Sequence, residues 1–208
     1  MDQILLVEGI NDKAVFGSIF KHHKLPEGFK IEVKGDVEKL IRSIPVHVKT
    51  DVKTIGIVID ADFNIDNQRN RWEAIKNKLK NIGYNVPDKL HPEGTIIKND
   101  ELPVIGIWVM PDNNSDGMLE DFVTFLVPED DELMPFVDET LIDLEEKGLN
   151  KYKGIHRAKA RIHTWLAWQE SPGTPMGLAI TKKYLDIEKE ECQIFVKWIT
   201  NLFNLPFS

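Results

Sequence analysis

The chain has 208 residues, a formal net charge of −8, 42% hydrophobic and 29% charged residues, and a single cysteine. That is enough for one domain with a full core and an appended part. No apolar run approaches the roughly 20 residues needed to cross a bilayer, so no membrane association is expected. The acid excess excludes nonspecific coating of nucleic acid by the whole surface, though not a local basic track. Cys192 alone excludes an intramolecular disulfide and a cysteine-rich zinc site, and reads as a small apolar residue on the last helix. The segment MDQILLVEG has an acid where a secretory signal needs basic residues, which predicts a cytoplasmic location.

Ile4 to Val7 reads as a buried strand, followed by Gly9 and a helix from about Asn11 to His23 with Ala14, Val15, Ile19 and Phe20 on one face. Phe29 to Val33 is a second strand, and Asp36 caps a second helix through Ile44, which Pro45 is expected to stop. Thr54 to Ile59 is a third, strongly β-branched strand, and Gln68 to Asn81 a third helix closed by Gly83. Strands alternating with helices at this spacing predict βαβ crossovers and a mainly parallel sheet. Thr95 to Lys98 and Val104 to Met110 look like a strand pair, the second ending in the turn-rich PDNNSDG. Helices then follow over Met118 to Leu126, Asp131 to Lys147, Arg157 to Trp168 and Glu188 to Phe203, with SPGTPMG at 171–177 as a long connection or a lid. The fold class expected is α/β: a core over 1–112, and a helical part over 113–208 packed on the same domain.

Several apolar runs stop on an acid. ILLVE ends at Glu8, IGIVIDAD carries Asp60 and Asp62, and IGIWVMPD ends at Asp112. If these are neighbouring parallel strands, their carboxyl ends meet at the sheet edge where open α/β folds bind ligands. Like charges a few ångströms apart suppress each other's ionisation, so such a cluster calls for a counter-charge, most simply a hard divalent cation. Asp12, one helical turn after Glu8, can face the same space or simply cap the helix. In the D-x-D of Asp60 and Asp62 alternate side chains project to one side, and an Asx-turn or cap accounts for one aspartate more readily than for both.

These residues resemble a known family. LVEG-x-x-D at 6–12, combined with a strand ending in D-A-D at 60–62, is similar to the Toprim domain of topoisomerases, primases and OLD-type nucleases. The PDNNSDGMLEDF and K-A-R-I-H-x-W-L-A segments resemble those of small stand-alone Toprim-like proteins. The resemblance implies a Toprim-like sheet, Glu8 as general base or metal ligand, and Asp60 and Asp62 as Mg²⁺ ligands, with Mn²⁺ as an alternative ion. The comparison with OLD-type nucleases further implies Asp12 as a ligand, Asp112, Asp116 and Glu120 as candidate second-metal acids, and Lys159 as a candidate catalytic lysine. The chemistry expected is metal-dependent phosphodiester cleavage of nucleic acid, DNA in preference to RNA, in a phage- or plasmid-defence setting.

Charge is also segregated. Asp112 to Glu146 contains acids and no Lys or Arg, whereas Lys147 to His163 carries Lys147, Lys151, Lys153, Arg157, Lys159 and Arg161 without an acid. Two solvated helix faces that pair with each other are one reading. The other is a nucleic-acid track of Lys147, Lys151, Lys153, Arg157 and Arg161 beside the acidic edge. D-N-N-S-D-G at 112–117 imitates an EF-hand loop, but Val123 stands where the bidentate Glu is required. His156 and His163 lack the further ligands zinc needs, and Trp165, Trp168 and Trp198 read as helix-packing core. Two rival functions stand beside the nuclease. One is a receiver-like phosphoacceptor domain with Asp60 as acceptor. The other is a weakly catalytic interaction module regulated by an ATPase partner, with homo-oligomerisation left open.

Overall fold

The computed structural model describes residues 2–61 and 71–206. Its element order is β1 (Gln3–Val7), α1 (Ile10–His22), β2 (Lys30–Val33), α2 (Val37–Val48), β3 (Thr54–Asp60), α3 (Arg71–Lys80), β4 (Thr95–Ile97), β5 (Val104–Met110), α4 (Leu119–Phe125), α5 (Leu133–Glu146), α6 (Arg157–Ala167), α7 (Met176–Thr181) and α8 (Glu190–Phe203). The strands form one sheet in the order β2-β1-β3-β5-β4. All neighbours run parallel except β4, which pairs antiparallel with β5. The protein is therefore α/β, a mainly parallel sheet with a helical carboxy-terminal part.

Both sheet faces are covered, which is why the central strands are continuous apolar runs rather than alternating ones. On one face Ile4, Leu6, Ile57, Ile59 and Ile107 pack with Leu40 and Ile44 of α2 and Ile75 and Leu79 of α3. On the other, Leu5, Val7, Val58, Trp108 and Met110 share a core with residues of α1 and α4 to α8. Residues 113–206 are thus helices laid on the sheet, with no core of their own apart from it. Gly56 and Gly106 face each other across β3 and β5. A Cβ at Gly106 would sit 2.3 Å from Leu202, and one at Gly56 2.6 Å from Leu5 and 3.1 Å from Leu202 and Phe203, so this glycine pair makes room for α8. Cys192 on α8 is buried, as expected, and burial pushes its thiol up to about 12.

Two sequence expectations fail here. Pro45 does not end α2, which continues to Val48. Leu40, Ile44 and Val48 form one buried stripe at helical spacing, and each such side chain contributes about 1.5–3 kcal/mol. That offsets the ~3 kcal/mol a mid-helix proline costs. The 171–177 segment is not one long loop, since Pro175 caps α7. Gly177 there lies so close to α1 that a Cβ would sit 2.7 Å from the Ala14 carbonyl oxygen. Gly83 does close α3, at φ +108°, with the Tyr84 N–H donating to the Leu79 carbonyl. The part of the third predicted helix over 68–70 lies outside the described residues.

Candidate functional site

The parallel order β1-β3-β5 brings the carboxyl ends of three strands to one edge. Glu8 follows β1 directly, and its Oε1 accepts the Asp60 backbone N–H at 3.0 Å. The same oxygen accepts from Arg71 Nη1 at 2.7 Å, and Arg71 Nη1 also donates to the Asp60 carbonyl at 3.1 Å. Asp60 ends β3 and turns its Oδ1 onto the Leu119 N–H, 2.9 Å away, at the start of α4. Asp12, in the first turn of α1, accepts the Gly9 N–H at 3.1 Å through Oδ2. It is therefore a cap as well as a member of the cluster.

Electrostatics tie these groups together. Asp60 is held well above the usual carboxylate range, first by desolvation and then by the charges of Glu8, Asp12 and Glu120. Asp12 is raised to about 6, again by burial first, with Glu8 and Glu120 adding to the effect. Glu120, on α4 and only 5% exposed, is the acid of the 112–121 run that enters the cluster. Lys159 on α6 stands 3.9 Å from its Oε1. Glu8, Asp12, Asp60, Glu120 and Lys159, scattered along the sequence, thus share one region.

Other predicted residues go elsewhere. Asp112 turns its carboxylate onto Asn114 and Ser115 of its own turn, accepting from both backbone N–H groups and from the Ser115 hydroxyl. Asp116 is exposed on that turn. Asp121 caps α4 through the Met118 N–H, and burial raises its carboxyl. Asp62 lies outside the described residues.

The basic strip is largely spoken for. Arg161 makes a bidentate pair with Asp138 at 2.6 Å on both arms, Arg157 Nε lies 2.9 Å from Glu145 Oε1, and Lys147 lies 2.7 Å from Asp143. Two paired helices, α5 and α6, therefore account for Lys147, Arg157 and Arg161, while Lys151 and Lys153 remain exposed. Trp165 and Trp198 are core, whereas Trp168, at the end of α6, is 42% exposed beside the still more exposed Phe136, their ring centroids 5.8 Å apart.

Arg71 is the site residue that sequence reasoning missed. Nothing local marks it, because its partner Glu8 is 63 positions away. The donor set consists of hard carboxylate oxygens, the chemistry that suits Mg²⁺ or Mn²⁺. Among the described residues, no three His, Cys, Asp or Glu side chains converge on a common point suited to a metal ion. No described helix is long and apolar enough to cross a membrane.

No curated protein and no solved structure matches the chain. One family model, described as a protein of unknown function (DUF3226), matches residues 2–204, nearly the full length, and the chain therefore belongs to the DUF3226 family.

Proposed function

We propose that the protein is a metal-dependent phosphodiesterase acting on nucleic acid, with its active centre at the carboxyl edge of β1 and β3. The observation that carries this reading is the shared position of Glu8, Asp12, Asp60 and Glu120, in which desolvation first, and then the neighbouring acids, raise the proton affinity of Asp12 and Asp60. Such an arrangement opposes its own ionisation unless a cation joins it. A fold with no use for these charges would be more stable with neutral side chains in the same places.

An ion there would draw on Glu8 and Asp60, together with Asp62 if the D-x-D pair acts as the Toprim resemblance implies, since Glu8, Asp12 and Asp60 by themselves do not converge on a common point. The ion would neutralise phosphoryl charge and activate a water nucleophile. The protein's own contribution is orientation. The Asp60 N–H and Arg71 fix the Glu8 carboxylate, and the Leu119 N–H fixes that of Asp60, so neither must reorganise when substrate arrives. Lys159 extends from α6 with about half of its side chain exposed, and its ammonium beside Glu120 is placed to offset charge on a phosphate reaching the cluster.

The direct test is nicking of supercoiled plasmid with Mg²⁺ or Mn²⁺, comparing the wild type with folded Glu8→Gln and Asp60→Asn proteins. Cleavage that requires the ion and disappears in both variants supports the reading. Cleavage that persists undiminished in either removes it.

A further inference from the structure

The outward side of α5 is covered by no described element. Glu132, at its start, and Phe136, Glu139, Ile142, Asp143 and Glu146 recur at three- and four-residue spacing and are all exposed, while Met134, Val137 and Leu141 on the opposite side are buried. Phe136 is 59% and Ile142 48% exposed, and Trp168, at the end of α6, lies against Phe136 with the two rings inclined at 46°. Single exposed apolar residues are ordinary, but ring-to-ring contact across two helices makes this a contiguous patch. Aromatic side chains of this kind carry most of the energy at the centre of a binding surface.

The charge around the patch has one sign. Glu132, Glu139 and Glu146 on α5, and Glu170 two residues beyond Trp168, are exposed and have no ion-pair partner among the described residues. The neighbouring cations are already engaged, Arg157 and Arg161 with Glu145 and Asp138, and Lys147 with Asp143. Phe136 and Trp168 could stack nucleobases, yet these acids would repel the phosphates joined to those bases. The faces of the two rings attract a cation instead. A helix that lays leucine-type side chains on Phe136 and Ile142, and arginines over the rings and against Glu132 and Glu139, meets both the apolar and the acidic demand.

We propose that the outward face of α5, together with Trp168, is a docking site for a basic amphipathic helix of a partner protein. The acids steer that helix onto the face, and the aromatic pair and Ile142 hold it there. Neither Phe136 nor Trp168 belongs to the carboxyl-edge cluster, so this partner site stands beside the phosphodiesterase reading and does not depend on it.

The probe is a fluorescein-labelled helical peptide with leucine on one face and arginine on the other, read by anisotropy against the full chain, with a leucine and glutamate peptide of the same pattern as control. Wild type should bind the arginine peptide and not the glutamate one. Phe136→Ser and Trp168→Ser, which alter exposed side chains and leave the core intact, should each weaken binding about tenfold. Glu132→Lys combined with Glu139→Lys should weaken it at least as much. Asp51→Lys combined with Glu101→Lys makes the same change in net charge at exposed acids on the loops before β3 and β5, and should stay within about twofold of wild type. The proposal is overturned if wild type fails to bind the arginine peptide, or if Phe136→Ser and Trp168→Ser bind it as wild type does. Equal weakening by the two double variants overturns it too, since the peptide would then be following net charge alone. Two further measurements identify the other occupants. A wild-type dimer in sedimentation that Phe136→Ser dissolves would assign the face to a second copy, and single-stranded oligonucleotide binding that Trp168→Ser abolishes would assign it to nucleic acid. Either result overturns the proposal.

Discussion

Acids occur in two settings in this molecule, and their surroundings differ in charge. Across α5 and α6, Asp138 and Glu145 meet Arg161 and Arg157 directly, and hydrogen bonds from Tyr152 and Arg157 hold the Glu145 carboxyl below its ordinary value. At the carboxyl edge of the sheet, Asp12 and Asp60 have backbone N–H partners but lie among further acids, and both are raised. The first set is satisfied within the fold. The second is arranged at a cost to stability, which is the pattern expected of a binding centre.

The sharpest way to break this comparison is through activity. Glu8→Gln and Asp60→Asn should each reduce metal-dependent nicking by at least about 100-fold, the scale on which loss of a catalytic acid, base or metal ligand is usually felt. Arg161→Gln, measured per folded molecule, should leave nicking within about twofold. If Arg161→Gln were as damaging as Glu8→Gln, the α5–α6 acids and bases could no longer be treated as purely structural.

Stability against pH gives the next largest effect, and its sign is opposite in the two regions. The Asp12 pKa rises from 3.8 to about 6 on folding, so the folded state holds the proton more tightly. Its stabilising share is complete below about pH 4 and is lost as pH rises through 6. The difference corresponds to about 3 kcal/mol at neutral pH in metal-free protein. Asp12→Asn, whose amide oxygen can still accept the Gly9 N–H, should therefore raise the thermal midpoint at pH 7 in EDTA and have little effect near pH 4. Glu145 is lowered, so its share is present above its unfolded pKa and disappears as pH falls through the folded value. An Asp12→Asn protein that is less stable than wild type at pH 7 would mean that the aspartate is already compensated.

A smaller effect is expected at the α5–α6 pair itself. The Asp138 and Arg161 side chains are about one third exposed, and solvent screening limits such pairs to about 1 kcal/mol even in bidentate geometry. Asp138→Ala should lower the thermal midpoint by about 2–4 °C in a chain of this length. Adding 1 M NaCl should shrink that difference.

The sheet was legible because its strands announce themselves. ILLV, TIGIVI and VIGIWVM are β-branched or apolar runs flanked by turn residues, and two-sided burial leaves no other place for them. Glu8 and Asp60 were legible for the same reason, since a parallel sheet puts its strand ends at one edge whatever the details. What escaped depended on tertiary contacts. Arg71 is a functional candidate only because the fold brings it to Glu8. Glu120 could not be told from Asp112 and Asp116 until α4 turned it inward, and Trp168 looked like core because its helical spacing does not show that α6 ends there. Pro45 misled because a local rule was applied where burial of Ile44 and Val48 outweighs it.

The finest discrimination concerns how nucleic acid would approach the cluster. The sequence offered a continuous basic track from Lys147 to Arg161, yet Arg157 and Arg161 spend their charge on Glu145 and Asp138. A cation already paired within the fold releases few counterions when a phosphate comes near, so of Lys147, Lys151, Lys153, Arg157 and Arg161 it is the exposed Lys151 and Lys153 that should contribute to the salt dependence of binding. With fluorescence anisotropy on a DNA oligonucleotide over a KCl series, Lys151→Ala and Lys153→Ala should each flatten the slope of log K against log salt by about 0.7–0.9. Arg157→Ala should leave the slope nearly unchanged. A loss of slope in Arg157→Ala matching that in Lys151→Ala would mean that the interhelical pairs open to receive nucleic acid. The basic strip would then belong to the active surface rather than to the scaffold.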